Sequence, residues 1–120
     1  MIIGIGLDIV ELDRISEVLN RNPKFINRIL TEKEKEYYYR LSNKRKIEFL
    51  AGRFAAKEAF SKAIGTGIGQ KVSFLDIEVL YNESGKPIVI QEVITSHVHV
   101  SITHSKQFAA AQVIIESLDS

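Results

Sequence analysis

The sequence predicts an α+β fold in which an N-terminal strand and several helices, the longest of them central, pack on a small, mainly antiparallel sheet. Three observations carry this: an apolar run at the N-terminus, helical spacing through residues 11–64, and period-two alternation beyond Gly69. Residues 2–10 (I-I-G-I-G-L-D-I-V) are apolar apart from Asp8 and read as a buried strand whose last residues include one acid. Residues 11–20 set Leu12, Ile15, Val18 and Leu19 at helical spacing and turn Arg14, Glu17 and Arg21 the other way. Asn22-Pro23 ends this helix, residues 24–30 make a short second one, and Thr31 with Glu34 has the spacing of a capping box that opens a third. The longest helix starts at Ser42 or Asn43 and runs to about Ile64. Strands are expected at 74–81, 88–93, 97–105 and 108–116, the first two joined by the turn N-E-S-G-K-P.

At 120 residues the chain suits a single domain, 1–120, around one core. Its 45% hydrophobic and 26% charged content, with only two prolines, reads as a compact protein that folds in water. No stretch approaches the roughly 18 consecutive apolar residues of a membrane span. The absence of cysteine removes disulfides and thiolate metal sites, and nothing marks secretion, so the cytoplasm is the expected compartment. A net charge of +1 argues against wholesale nucleic-acid binding, but the charge is unevenly spread. Residues 1–62 hold 13 Lys or Arg against 9 Asp or Glu, and residues 63–120 hold 3 against 6. If either half faces anions, it is the N-terminal one.

The stretch G-R-F-A-A-K-E-A-F-S-K-A-I-G-T-G-I-G, residues 52–69, concentrates the candidate chemistry. At 100° per residue Glu58 and Lys62 fall about 40° apart, beside Ala51 and Ala55, whose small side chains should leave that face open. Arg53 and Lys57 lie on another face, Arg53 about 140° from Glu58. One ligand can touch both only by wrapping the helix or by sitting between subunits. These charges read equally as a catalytic wall and as an ordinary i,i+4 surface pair beside a solvated stripe. Gly65-Thr66-Gly67 is either a helix C-cap turn or a loop whose backbone N–H groups can approach an anion. Asp8 and Glu58 supply the one or two carboxylates with which Mg²⁺ is typically held, provided the first strand lies along the long helix. Asp8 also reads as an acid set against a helix macrodipole.

In H-V-H-V-S-I-T-H, His97 and His99 share one parity and His104 takes the apolar one. The first two read as a solvated sheet face rather than metal ligands. His104, beside Ser105, is either an anion contact or a satisfied core histidine. Arg14, Arg21, Lys24 and Arg28, with Phe25 among them, form either a soluble helical face or a basic patch that docks an acidic helix. Lys44-Arg45-Lys46 admits the same two readings.

G-L-D-I-V-E-L-D-R (6–14), F-L-A-G-R-F-A-A-K-E-A-F-S-K-A-I-G-T-G (49–67), G-K-P (85–87) and H-V-S-I-T-H (99–104) followed by A-A-A-Q-V together resemble the small bacterial 4'-phosphopantetheinyl transferases, the holo-[acyl-carrier-protein] synthase family. The resemblance covers essentially the whole chain. It implies transfer of the phosphopantetheine arm of coenzyme A to a serine of apo-acyl carrier protein, releasing adenosine 3',5'-bisphosphate, in fatty acid biosynthesis. Position by position it implies Mg²⁺ on Asp8 and Glu58, with Glu58 deprotonating the serine and Lys62 stabilising the transferring phosphoryl group. Arg53, His104 and Ser105, with Lys44 or Arg45, would grip the ribose phosphate. Gly65, Thr66, Gly67 and Pro87 would line the coenzyme groove, and Arg14, Arg21, Lys24 and Phe25 would receive the carrier protein. The family also implies a homotrimer with sites at subunit boundaries. Longer relatives often carry a further acid two residues after the strand-one aspartate, where this chain has Val10.

Overall fold

The computed structural model describes residues 1–118. Strand β1 (Ile2–Glu11) leads into helices α1 (Leu12–Arg21), α2 (Phe25–Ile29), α3 (Glu32–Tyr38) and α4 (Asn43–Ala63). A single 3-10 turn (Phe74–Asp76) precedes strands β2 (Ile77–Tyr81), β3 (Pro87–Gln91), β4 (His97–His104) and β5 (Phe108–Glu116). The α+β class and the long central helix are as the sequence predicts. The strands form two antiparallel sheets, β1-β5-β4 and the hairpin β2-β3. Residues 74–76 coil into the 3-10 turn, whose start is closed by Ser73 N–H and Oγ donating to Asp76 Oδ2 while Asp76 N–H donates to the Ser73 carbonyl. Strand β3 stops at Gln91, whose side-chain amide bonds both Ile94 N–H and Ile94 C=O in place of a partner strand.

Helix α4 is apolar or small around most of its circumference, and the sequence buries it accordingly. One side, Ala55, Ala56, Ala59 and Phe60, packs under β4 and β5 through Val100, Ala111, Val113 and Ile115. The other, Leu50 and Ala51, packs against Leu12 and Ile15 of α1, Ile29 of α2 and Leu30. Ser42 caps its start through Arg45 N–H, and the predicted capping box of Thr31 and Glu34 opens α3.

Strand β1 is not the buried strand its composition suggests. Ile3, Ile5, Leu7 and Ile9 are all more than half exposed, since only the even positions face α4. On that even face Gly6 lies so close to the helix that a Cβ there would stand 1.8 Å from the Ala59 carbonyl oxygen, and one at Gly4 2.3 Å from that of Ala63. Two residues lacking side chains thus let the strand rest on the helix backbone, and the next even position is Asp8.

Candidate active site

Asp8 on β1 and Glu58 and Lys62 on α4 line one cleft of ≈ 560 Å³. Lys62 Nζ donates to Asp8 Oδ1 at 2.8 Å and to the Leu7 carbonyl at 3.2 Å, so the lysine pairs with the strand acid rather than with Glu58 one turn away. Burial first and the Asp8 charge second push the Glu58 carboxyl above its ordinary pKa, with Lys62 opposing both. The hydrogen bond to Asp8 in turn lifts the Lys62 ammonium. Asp8 belongs to a strand, three residues short of α1, so it is no helix-terminal acid.

Predicted neighbours of the cleft divide. Arg14 and Phe25 line it, while Arg21 and Lys24 stand exposed on the outside of α1 and before α2. Ala51 and Ala55 leave no open face, being fully buried; the wall is made instead by Phe54, Phe25 and Phe108. Sequence reasoning missed Phe54 and Phe108. Phe54 carried a usable signal, since it lies one turn before Glu58 on the same helix. Phe108 reaches the cleft only through the pairing of β5 with β1, opposite Glu11.

Arg53 sits away from this cleft, in a cavity of ≈ 530 Å³ that it lines with Arg45, Phe49, Tyr81, Pro87 and His104. Its side chain is no solvated stripe: the residue is 3% exposed, and Nε and Nη2 have no hydrogen-bond partner among the described residues. Lys57 overturns the same expectation. Fully buried, it donates to Glu34 Oε1 and to the Ile29 carbonyl, each at 2.6 Å. Burial pushes its ammonium below the ordinary lysine range, with Glu34 opposing.

Lys44 and Ser105 line a third, adjoining cleft that shares His104 and Glu48 with the Arg53 cavity. His104 is exposed, not a core histidine, and its Nδ1 stands 3.6 Å from Glu48 Oε2. Ser105 Oγ accepts the N–H groups of Gln107 and Phe108 and so builds the β4–β5 turn. His99 pairs with Glu116 on the outer sheet face, His97 beside it.

The glycine loop behaves as a helix end. Gly65 and Gly67 take positive φ, and the amides of Gly65, Thr66 and Gly67 all donate to the carbonyls of Ser61 and Lys62. Of the two readings of Gly65-Thr66-Gly67, the C-cap turn is the one present, since the last turn of α4 already uses these amides.

Among the described residues no group of three or more His, Asp or Glu could cage a metal ion. Two carboxylates facing a cleft are nevertheless what a magnesium-type ion takes when water and substrate phosphate complete its shell. The donor set of Asp8 and Glu58 fits such an ion.

The chain is 62% identical to a holo-[acyl-carrier-protein] synthase of Geobacillus sp. (strain WCH70), over 98% of this chain and 99% of that one. It is 60% identical to one of Bacillus subtilis (strain 168) over the full length of both. A crystal structure of a holo-(acyl-carrier-protein) synthase from Bacillus anthracis in complex with CoA (3',5'-ADP) superposes with a TM-score of 0.92, at 58% identity and 98% coverage of both chains. Residues 4–115 match the family model for the 4'-phosphopantetheinyl transferase superfamily, and with its acid cleft and fold in place the chain belongs to that family.

Proposed function

We propose that the protein is a Mg²⁺-dependent holo-[acyl-carrier-protein] synthase, one domain over residues 1–120. It moves the 4'-phosphopantetheine arm of coenzyme A onto a serine of apo-acyl carrier protein. The observation that carries this is the convergence of Asp8, Glu58 and Lys62 in one cleft of a chain whose full-length relatives bear that name. The serine oxygen attacks the phosphorus that carries the pantetheine arm. The P–O bond to the adenosine-side phosphate breaks, and adenosine 3',5'-bisphosphate leaves with the bonding electrons. Glu58, made more basic by burial and by Asp8, takes the serine proton directly or through water. Lys62 offsets charge on the transferring group. Asp8 and Glu58 would hold Mg²⁺, whose contribution when bound is to neutralise diphosphate charge.

Arg53, with Arg45, Lys44, His104 and Ser105, grips the ribose phosphate of the coenzyme, while Pro87 and Gly65 to Gly67 lend surface to its groove. Arg14, Arg21, Lys24 and Phe25 receive the acidic carrier protein. Coenzyme A and the carrier are the partners, the cytoplasm is the compartment, and neither nucleic acid nor membrane is involved. No helix of the described residues is long and apolar enough to cross a membrane.

The working form is a homotrimer. Two features support this: the exposed apolar ridge Ile3, Ile5, Leu7 and Ile9 on β1, and the separation of the Arg53 cavity from the Glu58 cleft. A neighbour's α4 then supplies the group that one copy cannot.

Incubation with coenzyme A, Mg²⁺ and apo-carrier should raise the carrier's mass by one phosphopantetheine. Glu58→Gln should lower turnover about 10²–10⁴-fold while coenzyme binding holds. An unmodified carrier rejects the activity, and undiminished turnover in the variant rejects the assigned base.

A further inference from the structure

Arg53 is a buried cation whose charge meets rings but no oxygen. Its guanidinium carbon lies 4.2 Å from the centre of the Phe49 ring and 4.8 Å from that of Tyr81. Aromatic faces attract the charge but accept none of the in-plane N–H bonds, and Nε and Nη2 are left without a partner. Such donors cost stability unless something arrives to accept from them.

The ring that completes this arrangement comes from a distant part of the chain. Tyr81 ends β2, opposite Pro87, and the Tyr37 ring meets it edge-on at 5.4 Å. Two residues earlier, Val79 N–H donates to Glu34 Oε2 at 2.8 Å, and the other oxygen of that carboxylate holds Lys57. The hairpin bearing Tyr81 is therefore tied, through a buried ion pair, to the helix that bears Arg53. Tyr81 itself is 39% exposed, so the core does not need its ring.

We propose that Tyr81, together with Phe49, is a positioning residue for coenzyme A: the two rings hold the Arg53 guanidinium so that its free N–H groups meet the ribose phosphate of the coenzyme. The proposal rests on the transferase reading above. The rings supply charge stabilisation without competing for the donors, which a carboxylate in the same place would consume. Without the Tyr81 ring the guanidinium turns or hydrates, and the phosphate loses an oriented partner.

Calorimetric titration of the wild type, Tyr81→Leu, Tyr81→Phe and Phe49→Leu with coenzyme A and with 3'-dephospho-coenzyme A tests this. Tyr81→Leu should bind coenzyme A about tenfold or more weakly and dephospho-coenzyme A as the wild type does. Tyr81→Phe, which keeps the ring, should restore the affinity. In turnover, Tyr81→Leu should raise KM for coenzyme A and leave kcat at saturation in place. Thermal melts identify any variant that does not fold, in which case the other ring deletion carries the comparison. Undiminished coenzyme A affinity in a folded ring deletion overturns the proposal. So does an equal loss for both coenzymes, because the ring would then not act through the phosphate. A wild type that binds neither coenzyme overturns the transferase reading instead.

Discussion

Lys57 and Arg53 stand one turn apart on α4, both cationic and both almost wholly buried, yet the fold treats them in opposite ways. Lys57 is finished: its ammonium donates to a carboxylate and a carbonyl, and that carboxylate also accepts Thr31 N–H and Val79 N–H. Arg53 is unfinished, with two rings near it and two nitrogens without a partner. Burying a charge is costly unless it is paired. The chain meets the requirement at one position and leaves it open a turn earlier, and the open donors are assigned, by the proposal above, to the coenzyme phosphate. The lysine joins α2, α3, α4 and β2, and the arginine is held by rings alone.

The largest expected effect breaks the finished member. Lys57→Met leaves the buried Glu34 carboxylate without its counter-ion and should cost about 3–5 kcal/mol in urea unfolding, while the double variant Lys57→Met/Glu34→Gln, neutral yet still able to accept from the Val79 N–H, recovers part of it. Arg53→Met should leave unfolding unchanged or slightly more resistant, yet raise KM for coenzyme A about 10- to 100-fold. If the two single variants lose stability alike, the contrast between them is gone. Gly6→Ala should cost about 1–3 kcal/mol, because its methyl meets the Ala59 carbonyl, and should lower turnover more than coenzyme affinity.

The smallest effect is one of pH. Burial and the Asp8 charge raise the Glu58 pKa, so the folded chain holds that proton at a pH where the unfolded chain has lost it. Stability from this group is complete below the ordinary carboxyl pKa and falls as pH rises through the raised folded value. Glu58→Gln removes the ionisation. In the presence of a chelator it should melt slightly higher than the wild type at about pH 8 and alike at about pH 3.5, where neither form is charged. A lower melting temperature for the variant at the higher pH would contradict the assigned environment.

Local pattern made much of this legible. The capping box at Thr31 and Glu34, the span of α4 and the divergence of Arg53 from Glu58 follow from residues a few positions apart, and each is present. Asp8 could be brought to α4 only on the condition that the first strand lies along it, and Gly4 and Gly6 meet that condition in the fold. What periodicity does not carry is partnership across the chain. Glu34 reads as a cap, and nothing near it in sequence says that the same carboxylate also holds Lys57 and β2. Tyr81 carries no local mark of its place beside Arg53. The ridge on β1 misleads for the same reason, since a run of isoleucines says only that water is to be left, not whether the cover comes from the chain itself.

The two flanks of α4 also bear on genetics. If each working centre draws its guanidinium from one copy and its carboxylates from the next, then Arg53→Met and Glu58→Gln are defects of different halves. Assayed at coenzyme concentrations far below the raised KM of the Arg53→Met chain, each variant alone should turn over slowly, and mixtures denatured and refolded together should regain some activity, because some boundaries then unite two intact halves. Equal mixtures that stay as slow as their parents would mean that every centre is built from one chain alone.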